Sequence, residues 1–594
     1  MADRFYEFFN DELTALRHRA TRFAEAYPKI AGRLRLARDT TDDPHVERLI
    51  QSFAFTAARV RQKLDDSLPE LTDSLLETLY PHYLAPFPAI TVVQFTPSEA
   101  VEAEQVLPRH SELTAEPVGG DACRFRTTQP VPLLPLRVEA VQLMARPIEA
   151  PQIAGINAAG AVRITLAPGG RQPIHALGFA RLRFYLRASQ RQAAAFQALL
   201  HNHTVAVALA AHSADEAPQI LPRAALRPLG FADDEALIPY QANSFTGYRT
   251  LTEFFGLPEK FQFFEVETGA VGVTDRLDIY LYVDCAPGPL ERGIGRENLL
   301  LNCTPIVNLF PTRAEPVPLD GTRTIYPLLA DARRPRSNEV HSVTAVTLID
   351  KRGETRESRA FFHRLTDRGE RSGEIYWQLQ RHAESPEGVP GTVSVAFVDE
   401  RDRPRSAADT VASVEILATN GDLPDRLPYV GGQPYLTLNR GADLVASIAC
   451  LMPPTPIRRR GDPDDRAWRL ISHLSLNHLS IVDDGVAALR SILRLYDSVA
   501  APETRRMIDA IHDVRSEPAV VRLGETMLRG TEIVLTLDEE QIEPGQGWLF
   551  ASALDRFFGA YTTINSFTRL TLRFKGLAEP YARFAPRAGQ EPLL

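Results

Sequence analysis

The first eighty residues carry a helical period. Apolar side chains recur at Tyr6, Phe9, Leu13, Leu16, Ala20, Phe23 and Tyr27, in alternating steps of three and four. That is the seam of a heptad helix over about three repeats. At ~1.5 Å per residue the rod is about 35–40 Å long, and Pro28 ends it. Asp43-Pro44 opens a second helix, a capping residue followed by proline in the first turn. Its stripe runs through Val46, Ile50, Phe53, Ala57, Val60 and Leu64, and a short third helix carries Leu71, Leu75, Leu76 and Leu79.

The period changes after LYPHYLAPFPAI (79–90). Short β-type runs follow, such as ITVVQF, VLPRHSEL, CRFRTT and PLRVEAVQLMA, separated by Pro, Gly and polar clusters. Pro81, Pro86 and Pro88 therefore mark a handover from helix to sheet, and His82 and Tyr83 are expected to pack there. A catalytic role for His82 would need an orienting acid and a nucleophile, and neither can be assigned. Strand alternation continues in RLRFYLRA (181–188), RLDIYLYVD (276–284) and SVTAVTLID (342–350), with a helical patch at AAAFQALL (193–200). The segment 244–266 holds seven aromatics, Phe245, Tyr248, Phe254, Phe255, Phe261, Phe263 and Phe264. Core packing is the favoured reading, with a ligand platform as the alternative.

A proline-rich stretch, Pro453 to Pro456, then Arg458–Arg460 and an acidic loop, reads as an exposed linker. Helices are predicted over about 467–480, 485–499, 503–514 and 547–564, and strands over 530–540 and 569–574. The last dozen residues are expected to fray. The expected fold class is α+β and multidomain: a helical N-terminal segment (1–85), two β-rich middle domains (86–290 and 291–452) and a mixed α/β C-terminal domain (453–594).

Composition narrows the function. With 594 residues, several domains are expected. The net charge of −9 argues against a nucleic-acid surface, which needs a concentrated positive field. The longest apolar run, Val205–Ala211, is far short of the ~20 residues a spanning helix requires. The opening MADRFYEFFNDEL carries acids where a secretory leader would begin with bases, so a cytoplasmic location is expected. The four cysteines lie far apart and form no zinc framework. No phosphate loop, HExxH or GxSxG occurs. His473 and His478, five apart on a predicted helix, diverge too far to share a metal. Cys303 has apolar company and reads as a buried structural thiol. No catalytic, cofactor or metal residue is assigned. What remains is association: the heptad seam closes an intramolecular hairpin, a bundle with other chains, or both at once.

The blocks RFAEAYPKIAGRL, DPHVERLIQSFAFTAARVRQKLDD and PELTDSLLETLYPHYLAPFPAITVVQF closely resemble the TssF (VasA, ImpG) family of type VI secretion baseplate proteins. The resemblance continues through PEKFQFFEV, NCTPIVNLFP, RLISHLSLNHLS and LDRFFGAYTTINSFTRL, from about residue 5 to about 575. It implies a cytoplasmic structural part of a contractile injection machine, similar to the wedge proteins of contractile phage baseplates, without catalytic activity or cofactor. The implied partners are TssG, a second TssF copy, TssK, TssE and the VgrG hub, with the sheath reached indirectly. There is no nucleic acid and no direct membrane insertion among them. The bundle role falls on the seam from Tyr6 to Tyr27. Two rivals stand beside it: an envelope-glycan hydrolase, which needs two carboxylates about 5–10 Å apart, and a carbohydrate-binding tail module, which needs the 244–266 aromatics exposed.

Overall fold

The computed structural model describes residues 43–240, 245–273, 275–320, 322–361, 374–384, 390–399, 410–430, 433–459, 485–497, 501–523, 526–577 and 579–589. Near the N-terminus it also describes 27–33 and single positions among 9–23. The chain divides into two compact units, Met1–Thr78 with Pro463–Ile471, and Leu79–Asp462 with Ser472–Leu594.

The first unit is helical. Pro28–Arg33 forms a short helix and Pro44–Leu79 a continuous one of 36 residues, about 54 Å long. Asp43 caps the long helix: its carboxylate accepts from His45 N at 2.9 Å and its carbonyl from Glu47 N at 3.1 Å. The second and third helices expected from the pattern are thus one. Pro69 lies inside it; a proline removes one backbone donor, but flanking turns with strong helical period can carry the helix through.

The second unit is strand-rich. A six-stranded antiparallel sheet has the order Leu436–Leu438, Glu112–Val118, Asp121–Thr127, Cys303–Val307, Ile90–Pro97, Val445–Cys450. It draws strands from both sides of residue 290, so that expected boundary is bridged by backbone pairing such as Ile90 with Val307. A five-stranded sheet (Leu136–Ala145, Gly160–Pro168, Thr204–Ala210, Gln219–Leu221, Leu277–Val283) and a four-stranded one share a core with the helix Gln190–His203. A third β module, Phe310–Thr419, builds an eight-stranded sheet around Val395, Val414 and Ile416.

The C-terminal part is a hairpin, a crossover helix and a parallel strand. Ile511–Leu523 pairs antiparallel with Thr526–Leu537, and Ser566–Phe574 runs parallel to the latter after the helix Pro544–Ala560. Parallel neighbours require such a crossover. Ile533, Leu535, Leu570 and Leu572 face inward with Phe550, Leu554 and Phe557 of the helix, all fully buried or nearly so. Gly545 is needed there: a Cβ on it would lie 2.6 Å from Ala195 Cα. The helix expected over 503–514 ends at Asp509, and a strand begins at Ile511. The reason is pairing: Ile511 and Val514 gain ladder partners in Leu537 and Leu535. Residues 582–583 and 587–588, expected to fray, add short strands to the same sheet.

Candidate functional site

The stretch 79–90 is where helix gives way to sheet. Pro81–Leu84 makes one helical turn and Ile90 starts a strand. Tyr80 is fully buried among the rings of Tyr83, Tyr240, Tyr248 and Tyr496, with its hydroxyl 3.1 Å from Thr252 Oγ1. The His82 ring stacks on Tyr240 at 4.1 Å, and burial pulls its imidazole down to about 4. A neutral ring wedged against tyrosine is a packing element.

The aromatic segment is likewise core. Tyr248, Phe254, Phe255, Phe261, Phe263 and Phe264 are buried, and Phe245 is half-buried against Tyr561. That removes the carbohydrate-platform reading. Beneath these rings lies an ion pair between Lys260 and Glu253, both buried. Glu253 also accepts from Leu237 N at 2.9 Å. Burial lowers the Lys260 ammonium, and the carboxylate opposes that shift.

The linker expected at Arg458–Arg460 is not exposed over its described part. Phe87 and Arg458 exchange backbone hydrogen bonds of 2.8 and 3.0 Å. Arg459 binds Glu339 at 2.9 Å and Asp422 at 2.9 Å. Its acids come from a distant strand and a distant turn, which local charge counting cannot see. Cys303 is buried, and burial pushes its thiol well up. Among the described residues, His203, Asp284 and Cys285 alone group in a way that could hold a metal. His203 Nδ1 is already hydrogen-bonded to Asp284 at 2.8 Å, and burial raises the Cys285 thiol, so the group fits a polar contact better than a thiolate metal site. His473 and His478 lie outside the described residues.

The heptad seam is only partly gathered. Tyr6 and Ala20 lie outside the described residues. Phe9, Leu13, Leu16 and Phe23 are helical; the first three are half-buried. The Phe9 ring meets Phe55 of the long helix edge-on, 6.5 Å between centroids, so one end of the seam closes a hairpin. The other end is open. Phe23 is 39% exposed and Tyr27 56%, with their rings 5.2 Å apart. Among the described side chains of the long helix, Ala54, Ala58 and Leu76 are buried, and Phe53, expected inward, is 64% exposed. Leu49, four residues earlier on the same face, is 70% exposed. Sequence reasoning missed Leu49; its i, i+4 spacing with Phe53 was the available signal. Single exposed apolar residues are ordinary, but aligned large ones mark contact surfaces.

Comparison with known proteins follows the same lines. A family model described as "Type VI secretion system, TssF" matches residues 1–591. The type VI secretion system component TssF1 of Pseudomonas aeruginosa is 34% identical over 628 aligned residues, covering all of both chains. A chain of the TssK-TssF-TssG baseplate subcomplex, solved by cryo-electron microscopy, superposes with a TM-score of 0.73 at 28% identity, over 92% of this chain and 99% of that one. A chain of the type VI secretion baseplate complex superposes at 0.57 and 24% identity, over 99% of this chain and 100% of that one, a likeness of fold alone.

Proposed function

The chain belongs to the TssF family of type VI secretion proteins, and from that premise we propose how it works. It is a structural component of the secretion baseplate. Its partners are the TssG and TssK counterparts of its own system, as in the subcomplex whose chain it matches over nearly its whole length. That match is the observation that carries the reading. The chain acts by shape and adhesion, without catalysis, from the cytoplasmic side. No helix among the described residues is long and apolar enough to cross a membrane.

The adhesive element is the helical segment. The seam from Tyr6 to Tyr27 joins a second copy and TssG in a bundle, and TssE, the VgrG hub and the sheath are reached through that assembly. Supporting this are the exposed Phe23, Tyr27, Leu49 and Phe53. Each would contribute roughly 0.5–2 kcal/mol on burial of its still exposed part, before the entropy of association. The strand-rich unit supplies the rigid body that the bundle holds.

Co-expression with the cognate TssG tests the reading. L13D/L16D/F23D should abolish co-purification while leaving the β-sheet circular dichroism intact. An unchanged complex on gel filtration would sink it.

A further inference from the structure

The C-terminal sheet has one covered face and one open face. The open face is built in rungs by the strand register. Asp513, Thr536 and Arg573 align across three strands, then Arg515, Val534 and Thr571, then Glu517, Glu532 and Arg569. All of these but Arg569 floor a trough of about 710 Å³, within the usual range of binding sites.

Its charges are unevenly satisfied. Glu532 is held by Arg569 and, at 3.0 Å, by Arg583; Arg515 pairs with Asp513 at 2.7 Å. Arg573 and Lys575 have no carboxylate within ion-pair distance among the described residues, and Arg573 Nε is buried without a hydrogen-bond partner. Two spare cations thus sit at one end of a concave face on a chain of net charge −9. A buried guanidinium edge left unpaired costs free energy that an incoming carboxylate recovers.

We propose that this trough docks an extended, carboxylate-bearing segment of a partner protein, with Arg573 and Lys575 as its anchors. Rungs along a strand repeat every ~6.6–6.8 Å, the spacing of alternate side chains in an extended peptide. Val534 gives that peptide an apolar contact in the middle of the floor. A compact phosphate fits less well. The trough is far larger than one phosphate ion, which would leave Val534 and most of the floor without a contact.

The test uses the full chain and a fluorescein-labelled eight-residue peptide alternating Glu and Thr, followed by anisotropy at low salt. The peptide should bind in a salt-sensitive way, at least tenfold more tightly than its Lys-Thr counterpart. R573E/K575E should weaken it tenfold or more. K575E alone, at an exposed turn that cannot threaten the fold, should weaken it about threefold. Equal binding of the acidic and basic peptides, unchanged binding in both variants, or displacement of the peptide by millimolar inorganic phosphate would each overturn the proposal. No other baseplate protein is in the assay, so its failure leaves the baseplate reading standing.

Discussion

Phenylalanine and tyrosine do opposite work in the two units. In the strand-rich unit, Tyr248, Phe254 and Phe261 to Phe264 are closed into the core, with rings 4.7–6.3 Å from their neighbours. In the helical unit, Phe23, Tyr27 and Phe53 are 39%, 56% and 64% exposed. The residue type is the same and the density along the sequence is similar. What differs is the element. A sheet covered by helices and long excursions buries large rings on more than one side. A helical hairpin buries one stripe per helix, and any second apolar face must await another chain.

The largest effects should come from the closed region. Lys260→Met leaves Glu253 buried and unpaired, and should cost roughly 3–5 kcal/mol in urea unfolding. Phe254→Ala should cost a similar roughly 3–5 kcal/mol by opening a cavity. Either variant within 1 kcal/mol of wild type would mean the region is not close-packed.

Acid should act on the same region. His82 is held down to about 4 and His201 to about 3, both by burial. An unfolded histidine takes its proton near 6.5, so between about 6.5 and 4 the unfolded chain binds more protons than the folded one. Stability is therefore full above about 6.5 and falls as pH drops toward 4, on the order of 3 kcal/mol for His82. Urea midpoints at pH 7.5 and 4.5 measure the loss, and H82Q should reduce it. A midpoint independent of pH in both would contradict the burial.

The smallest effect belongs to the open region. Phe53→Ser should change the stability of the isolated chain by about 0.5 kcal/mol or less, since the ring is already in water. A loss near that of Phe254→Ala would show Phe53 to be core.

These contrasts explain what the sequence made legible. The handover from helix to strand at 79–90 was readable because period and proline placement are local. So were the helices at Gln190–His203 and Gly485–Tyr496. The six-stranded sheet was not, because pairing Ile90 with Val307 and Val93 with Cys450 is decided by partners hundreds of residues away. The same cause hid Ile511–Leu523: its first four residues fall in the helix expected over 503–514, which the ladder with Thr526–Leu537 overrules. Arg459 was misread as linker because Glu339 and Asp422 are remote in sequence. In the helical unit, heptad spacing picked out Phe23 and Tyr27, two rings that stand exposed. It also put Phe53 inward, since a stripe stepping four and three cannot say which of two adjacent rows is buried.

Hydroxyl-radical footprinting of the chain, alone and bound to its TssG counterpart, tests the central claim most directly. Oxidation of Phe23, Tyr27, Leu49 and Phe53 should be high in the free chain and fall several-fold in the complex, while Tyr248, Phe254 and Phe261 stay unreactive in both. Equal oxidation of the four helical residues in the free and bound states would contradict it.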